Sequence, residues 1–428
     1  MRGRTGLYVL AVLIGINFLN YLDRYLPAAA APAIQDEFHL SDGELGLLGT
    51  AFLLVYAVAS VPLGLWADRS ARRAVIGTGV AIWSVATLFT GFARSFPQLL
   101  LTRGVLGIGE ASYFPAGTSL LSDLFDKKVR GRTMAFRDAG SVFGIAVGYV
   151  GGGIIAERFG WRQAFFYTAL PGLLFAVLAF TMPEPPRGQA EARGPLIDRP
   201  KDASLATFKN LWEIPTVRAL VLSQVLLFWV LGSLSAFLPL YMHRRFGLGL
   251  AAAATAGGGV LIAGGLIGTF AGGWLGDWRA RRVAHGHLQV GVAGFLAAAV
   301  LIALTMLTNS LAGTLPLAFG AAIALYLYSA PFTAQLQNVV APSLRASAVT
   351  LSLFVTHLFG DAWSPAALGA LSDLLHSLSL AILLTCPLAL LAAAALAYAG
   401  FKTVARDTAS MEESWAQRPP LEPAPEPA

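Results

Sequence analysis

Charge is scarce in this chain. Asp, Glu, Lys and Arg make up 13% of its 428 residues while 56% are hydrophobic, about half the charged share of a soluble globular domain. So few charges could not cover so much apolar surface in water. Cysteine is nearly absent: Cys386 stands alone in an apolar run, which excludes a disulfide framework and a cysteine-rich metal site. Strict polar and apolar alternation is also missing, which argues against a membrane β-barrel. Histidine is rare, and His285 and His287 lie in a basic loop without the companions a metal needs. No metal or cofactor is expected. No catalytic cluster or polar extramembrane domain stands out, so an enzyme is not expected either.

What the chain has is long apolar runs. Leu7 to Ala33, Leu45 to Ala67, Ala74 to Ala93, Leu99 to Leu121 and their later counterparts each hold about 20 mostly apolar residues, enough to span a hydrocarbon core. About twelve such runs predict an all-α integral membrane protein with twelve transmembrane helices. Gly and Pro inside the runs are compatible with this, because neighbouring helices re-satisfy the backbone groups they free. The first run is too long for a signal peptide and is expected to remain as a helix.

The net charge of +6 follows membrane topology and not nucleic acid. With the N-terminus in the cytoplasm, the inner loops hold most of the Lys and Arg, among them Arg69, Arg72, Arg73, Lys127, Lys128, Arg279, Arg281 and Arg282. The outer loops hold Arg94, Arg158, Arg162, Arg244 and Arg245. This positive-inside bias predicts a multi-pass protein of the plasma or inner membrane with both termini cytoplasmic.

The chain also repeats itself. GLWADRSARR, from Gly64 to Arg73, matches GWLGDWRARR, from Gly273 to Arg282, with Asp68 and Asp277 in the same place. Arg130 pairs with Arg345 in the same alignment, and Glu157 with Asp373. The expected organisation is an N-terminal six-helix half (1–182), a Pro-rich cytoplasmic linker (183–216), a C-terminal six-helix half (217–402) and a disordered cytoplasmic tail (403–428). Two repeated halves place a substrate site between them, near mid-membrane.

Ionisable residues at membrane depth are costly and are the default functional candidates. At 1.5 Å per residue, Glu110 falls near the middle of the fourth helix. Arg103, seven residues earlier, returns to nearly the same face. Its planar, permanently charged fork suits phosphate or carboxylate, with a structural ion pair to Asp23 or Glu110 as the alternative. Asp23 and Arg24 point about 100° apart on the first helix, and Asp23 lies at a depth comparable with Arg103. His357 and Asp361 share a face of the eleventh helix at i,i+4, which reads either as a titrating site or as a stabilising pair.

Three motifs carry a family resemblance. GLWADRSARR resembles the major facilitator loop signature, with Ala71 where that signature prefers Gly. NYLDR (Asn20 to Arg24) and GEASY (Gly109 to Tyr113), followed by DLF (Asp123 to Phe125), resemble the spinster family within that superfamily. The resemblance is stronger in the N-terminal half. It implies the major facilitator fold and a secondary transporter of lysophospholipids or sphingosine-1-phosphate-like amphiphiles, proton-coupled and acting by alternating access. Membrane lipids are its surroundings, and a monomer is expected. A proton-coupled organic-anion or drug transporter on the same fold remains the alternative.

On this reading Glu110 and Asp23 carry protons, and Arg103, Arg24, Tyr113, His357 and Asp361 contact substrate. Asp68, Arg72, Arg73, Asp123, Arg130 and Arg132 crowd the cytoplasmic ends of helices two to five. With Arg137 and Asp138 they are assigned to gating, since in the superfamily such loop charges hold the inner gate shut in the outward-open state. The glycines Gly140, Gly144 and Gly148, spaced by four, predict close approach of the fifth helix to a neighbour.

Overall fold

The computed structural model describes residues 2–125, 127–186, 205–341 and 344–416. Its elements follow the apolar runs. In the N-terminal half the first three helices are Arg2–Ala29, Asp42–Arg69 and Arg72–Gly91, and the sixth is Trp161–Phe180. In the C-terminal half the seventh, eighth, ninth and twelfth are Pro215–Phe246, Leu250–Ala280, Gly286–Leu307 and Leu378–Ala399. The fifth passes from Lys127–Ala146 through a π-helical turn, Val147–Gly151, into Gly152–Phe159, and the tenth joins Leu311–Tyr326 to Ser329–Asn338. Among the described residues, ten helices are long and apolar enough to cross a membrane.

The fourth and eleventh crossings are interrupted. The fourth breaks at Ser112 between Phe96–Ala111 and Tyr113–Leu124, and the eleventh runs from Arg345–Thr356 through a π-helical turn, His357–Asp361, to Ser364–Leu375. These two crossings carry Arg103 with Glu110 and His357 with Asp361. Local irregularity of this kind inside a membrane helix is tolerated because neighbouring helices and side chains re-satisfy the backbone groups it frees.

We call the end carrying both chain termini the base and the opposite end the crown. At the crown the expected first span stops at Ala29, and Ala31–Phe38 forms a separate short helix. Ser41 then opens the second helix with a capping box, its side chain accepting from Glu44 N while the Glu44 carboxylate accepts from Ser41 N. Gly247 turns the chain from the seventh helix to the eighth with φ 64°, a conformation that favours glycine.

Each half has its own core. Residues such as Val221, Leu234, Phe295, Phe332, Ile382 and Cys386 form one cluster in the C-terminal half, and Val9, Leu13, Trp83, Leu106 and Leu120 form another in the N-terminal half. Across the halves Ala29, Tyr149 and Ala254 form a small buried apolar cluster, while Leu45 packs on the C-terminal core and Leu250 on a cluster of the N-terminal half. Within the N-terminal half the fifth helix meets the first as its glycines predict. A Cβ at Gly140, Gly144 or Gly148 would sit 2.7, 2.2 or 2.8 Å from the carbonyl oxygens of Ile14, Phe18 and Leu22. Phe143, Phe270 and Trp274 are 67%, 77% and 70% exposed, apolar surface that water alone would not favour.

Two expectations about chain segments need correction. Of the linker, 187–204 lies outside the described residues, but Leu205–Glu213 is helical. Phe208, Leu211 and Trp212 give it an apolar stripe, and Leu211 is 1% exposed in the C-terminal core. The tail is likewise not wholly irregular, since Val404–Ala416 is a helix. Asp407 anchors it by accepting from Thr216 N (3.0 Å) and Thr216 Oγ1 (2.7 Å) at the start of the seventh helix, where a carboxylate caps free N–H groups. Residues 417–428 lie outside the described residues.

Candidate functional site

Four of the expected charges meet at mid-height in the N-terminal half. Arg24 Nε donates to Glu110 Oε2 at 2.7 Å, with side-chain exposures of 18% and 0%. The guanidinium of Arg24 lies 5.1 Å from the Tyr21 ring centre, 5.2 Å from Phe52 and 4.7 Å from Tyr56, within reach of cation–π attraction. Arg103 shares the Phe52 ring at 5.2 Å, so one phenyl group separates two cations. Phe52 and Tyr56 come from the second helix, and nothing in their apolar sequence context marked them.

The pairing differs from the ion-pair reading offered for Arg103. It reaches neither carboxylate as a hydrogen-bonded ion pair. Its Nη1 donates to the backbone oxygen of Asp23 at 3.4 Å, while the Asp23 carboxylate accepts from Thr87 Oγ1 at 3.3 Å. Arg24 is the partner of Glu110. The physical reason lies in the rotation between Asp23 and Arg24: the residue that turns toward the fourth helix and the interior space is the arginine. Asp23 Oδ1, Arg103 Nε and Glu110 Oε1 are buried with no hydrogen-bond partner among the described residues. Such atoms are costly to leave unsatisfied and give the cluster capacity to bind.

Tyr113 belongs elsewhere. It is 2% exposed, donates its hydroxyl to Leu13 O at 2.8 Å and stands edge-on to Trp83. It therefore ties the fourth helix to the first within the core, and the substrate-contact assignment is withdrawn. In the C-terminal half His357 Nδ1 and Asp361 Oδ2 are 2.8 Å apart, the helix-face pair expected from their spacing. Phe228 of the seventh helix stands edge-on to the imidazole at 5.3 Å. A Cβ at Gly360 would sit 2.7 Å from Val225 O, so this turn is pressed directly on the seventh helix.

In this state the hydrogen bonds of the basal charges among the described residues join parts of the N-terminal half to one another. Arg72 is fully buried and bonds Asp123, Glu184 Oε1 (2.7 Å), Ser119 Oγ (3.2 Å) and Pro185 O (2.7 Å). Arg73 N donates to Glu184 Oε2 at 3.0 Å. Arg137 bonds Asp138 Oδ1 (2.7 Å) and Thr118 Oγ1 (2.6 Å), with Phe114 beneath it. Arg130 donates to Ser122 O and Arg132 is exposed. The side chain of Asp68 lies outside the described residues. These groups staple the base of one half together, and Glu184, just beyond the sixth helix, is the member that sequence reasoning missed.

The hydrogen bonds between the halves gather toward the crown. Arg244 donates to both oxygens of Asp42 (2.6 and 2.9 Å) and to Gln35 Oε1 (2.6 Å), and Ser372 Oγ donates to Asp42 Oδ2 at 2.6 Å. Glycines let the backbones touch there. A Cβ at Gly46 would lie 2.2 Å from Pro365 O, and one at Gly369 2.2 Å from Asp42 O. Two bundles meeting at one end, with separate cores and charges between them, is the geometry of an alternating-access carrier.

The Major Facilitator Superfamily model matches residues 13–365, and a human relative, protein spinster homolog 1, is 31% identical over 396 residues, covering 87% of this chain and 74% of that one. This chain belongs to the Major Facilitator Superfamily and, within it, to the spinster proteins. The sphingosine-1-phosphate transporter SPNS2 of Mus musculus is 29% identical over 386 residues, covering 86% of this chain and 70% of that one. A crystal structure of a bacterial homologue of the human lysosomal transporter spinster, inward-facing and occupied, superposes with a TM-score of 0.81 at 27% identity, covering 94% and 97% of the two chains. As a spinster protein of this fold, the chain is a multi-pass membrane transporter and not an enzyme.

Proposed function

We propose that this spinster protein carries single-chain amphiphilic lipids, of the lysophospholipid or sphingosine-1-phosphate type, across the membrane in exchange with or alongside protons. The observation that carries the reading is the Arg24–Glu110 pair: a part-exposed guanidinium held among Tyr21, Phe52 and Tyr56 and bonded to a carboxylate that has no exposure of its own. An anionic headgroup competes with Glu110 for Arg24. Protonation of Glu110 releases the arginine to the headgroup, and loss of the proton takes it back. That competition links cargo to proton, because each ligand favours one arrangement of the same two side chains. Asp23 is the second proton carrier, and Arg103, bonded to its backbone, is a further headgroup contact beside Arg24. His357 and Asp361 contact the cargo from the other half.

The two moving bodies are residues 1–182 and 217–402, and one chain supplies both, so a monomer suffices. The excess of Lys and Arg at the base supports an orientation with that end and both termini in the cytoplasm, and the membrane in this reading is a plasma or inner membrane. In the crown-open state the base closes, and Asp68, Arg72, Arg73, Asp123, Arg130, Arg132, Arg137 and Asp138 then face the other half as an inner gate. The test is uptake of lysophospholipid and of sphingosine-1-phosphate into proteoliposomes with and without a pH gradient, beside small organic anions. Uptake of organic anions alone would replace the lipid reading by the second one, which the two closely set guanidiniums also favour.

A further inference from the structure

Glu157 and Asp373 occupy the same place in the two repeats, near the crown ends of the fifth and eleventh crossings, and neither takes part in the cluster described above. Each crosses to the other half. Asp373 Oδ1 accepts from Asp42 N and Oδ2 from Gly43 N, both at 2.8 Å, at the first residues of the second helix. Glu157 Oε2 accepts from Ala251 N at 2.7 Å, at the first residues of the eighth. The second and eighth helices are themselves repeat partners, each leading into one of the two basic loop motifs. A pseudo-twofold axis therefore relates the two contacts: an acid from helix five caps helix eight, and an acid from helix eleven caps helix two.

We infer that Glu157 and Asp373 are a matched pair of positioning residues that latch the crown shut during transport. The chemistry follows from the helix end. The first N–H groups of a helix have no partner in their own helix, and they carry the positive end of its dipole. A carboxylate satisfies both at once. Here the carboxylate belongs to the opposite half, so opening the crown takes it away and returns those N–H groups to water. The surrounding glycines fit this role. A Cβ at Gly249 would lie 2.5 Å from Glu157 Oε1, and one at Gly43 3.0 Å from Asp373 Oδ2. Side chains at these two positions would push the acids off the helix ends they cap.

The latches are unequal. Asp373 receives two N–H bonds and is half-buried, whereas Glu157 receives one and is exposed. Water competes less with Asp373, so it contributes more. A carboxylate at a helix N-terminus shifts an equilibrium by roughly two- to fivefold.

The experiment is a distance measurement between spin labels at the crown ends of the third and ninth helices, on Phe92 and Leu307, in the full-length protein. Glu157→Gln and Asp373→Asn each raise the crown-open to crown-closed ratio by about two- to fivefold, Asp373→Asn more, and the double variant exceeds either. Gly249→Ala, which keeps the charge but displaces it, shifts the ratio in the same direction as Glu157→Gln. Glu44→Gln, which disturbs a capping box inside one half, leaves the ratio unchanged. Unchanged distributions in the double variant, or lower thermal stability with no shift in the ratio, would overturn the inference.

Discussion

Replacing Glu110 by Gln keeps the side-chain volume and removes the charge that pairs with Arg24. The N···O separation is 2.7 Å and the carboxylate has no exposure, so the charge centres stand about 4 Å apart. At an effective dielectric of about 20 their attraction is about 4 kcal/mol, close to a thousandfold in an equilibrium. Glu110→Gln loses that restraint, so Arg24 is free for a headgroup whatever the pH. Lipid binding is retained, and uptake ceases to respond to a pH gradient. Arg24→Ala does the opposite: it leaves Glu110 buried without its cation, at a cost of about 3–5 kcal/mol. It also lowers affinity for an anionic headgroup by at least about tenfold, the worth of one charge-assisted hydrogen bond. The assay is ligand-induced thermal shift beside proteoliposome uptake with and without the gradient. If Glu110→Gln accumulates substrate in response to the gradient as wild type does, Glu110 is not the essential proton carrier, and Asp23 takes its place.

Arg72→Ala removes the centre of a buried network and should cost about 3–5 kcal/mol, seen as a large fall in thermal midpoint in detergent, while Arg132→Ala, at an exposed position, should stay within about 0.5 kcal/mol. A comparable midpoint for both would mean that the Asp123 and Glu184 contacts contribute nothing. At the crown, hydrogen bonding from Arg162 holds the Glu37 carboxyl below its ordinary value of 4.5. The stability this pair supplies is therefore present above about pH 4.5 and is lost as pH falls through the folded-state value. Both side chains are about a third or more exposed, so the contribution is below about 1 kcal/mol, and Glu37→Gln should remove that part of the acid dependence of the midpoint. Asp407→Ala leaves Thr216 N uncapped, at about 1 kcal/mol; faster proteolysis between the twelfth helix and the tail is the expected result, and an unchanged rate would count against the anchor.

Much of this was legible because membrane folding depends on a few strong signals. Long apolar runs predicted the helices, the Asp68 and Asp277 motifs exposed the repeat, and the depth of Glu110 singled it out. The partner of Glu110 was not legible. Arg103 and Arg24 were both near by counting along helices, and only the rotation of the first helix against an interrupted fourth decides between them. Tyr113 was misassigned because a motif conveys neighbourhood in sequence but not which way a ring turns. Leu205–Glu213 and Val404–Ala416 were obscured by polar surroundings, since their helicity comes from docking Leu211 and Val404 on the core more than from local propensity. The crown contacts of Asp42, Arg244 and Asp373 join residues some 200 to 330 apart in the chain, and short polar loops gave no hint of them.

The glycine seam between the second and eleventh crossings has a mechanical consequence. Gly46 against the Pro365 carbonyl and Gly369 against that of Asp42 bring main chain onto main chain. Such a joint is exacting in fit. Any added methyl acts as a wedge, while the grip comes from the polar contacts of Asp42, Arg244 and Asp373, which can break without melting either bundle. Strength lies inside each half, in its own core, and the seam between them is left to fit and to polar contacts, so the halves can part as whole bodies.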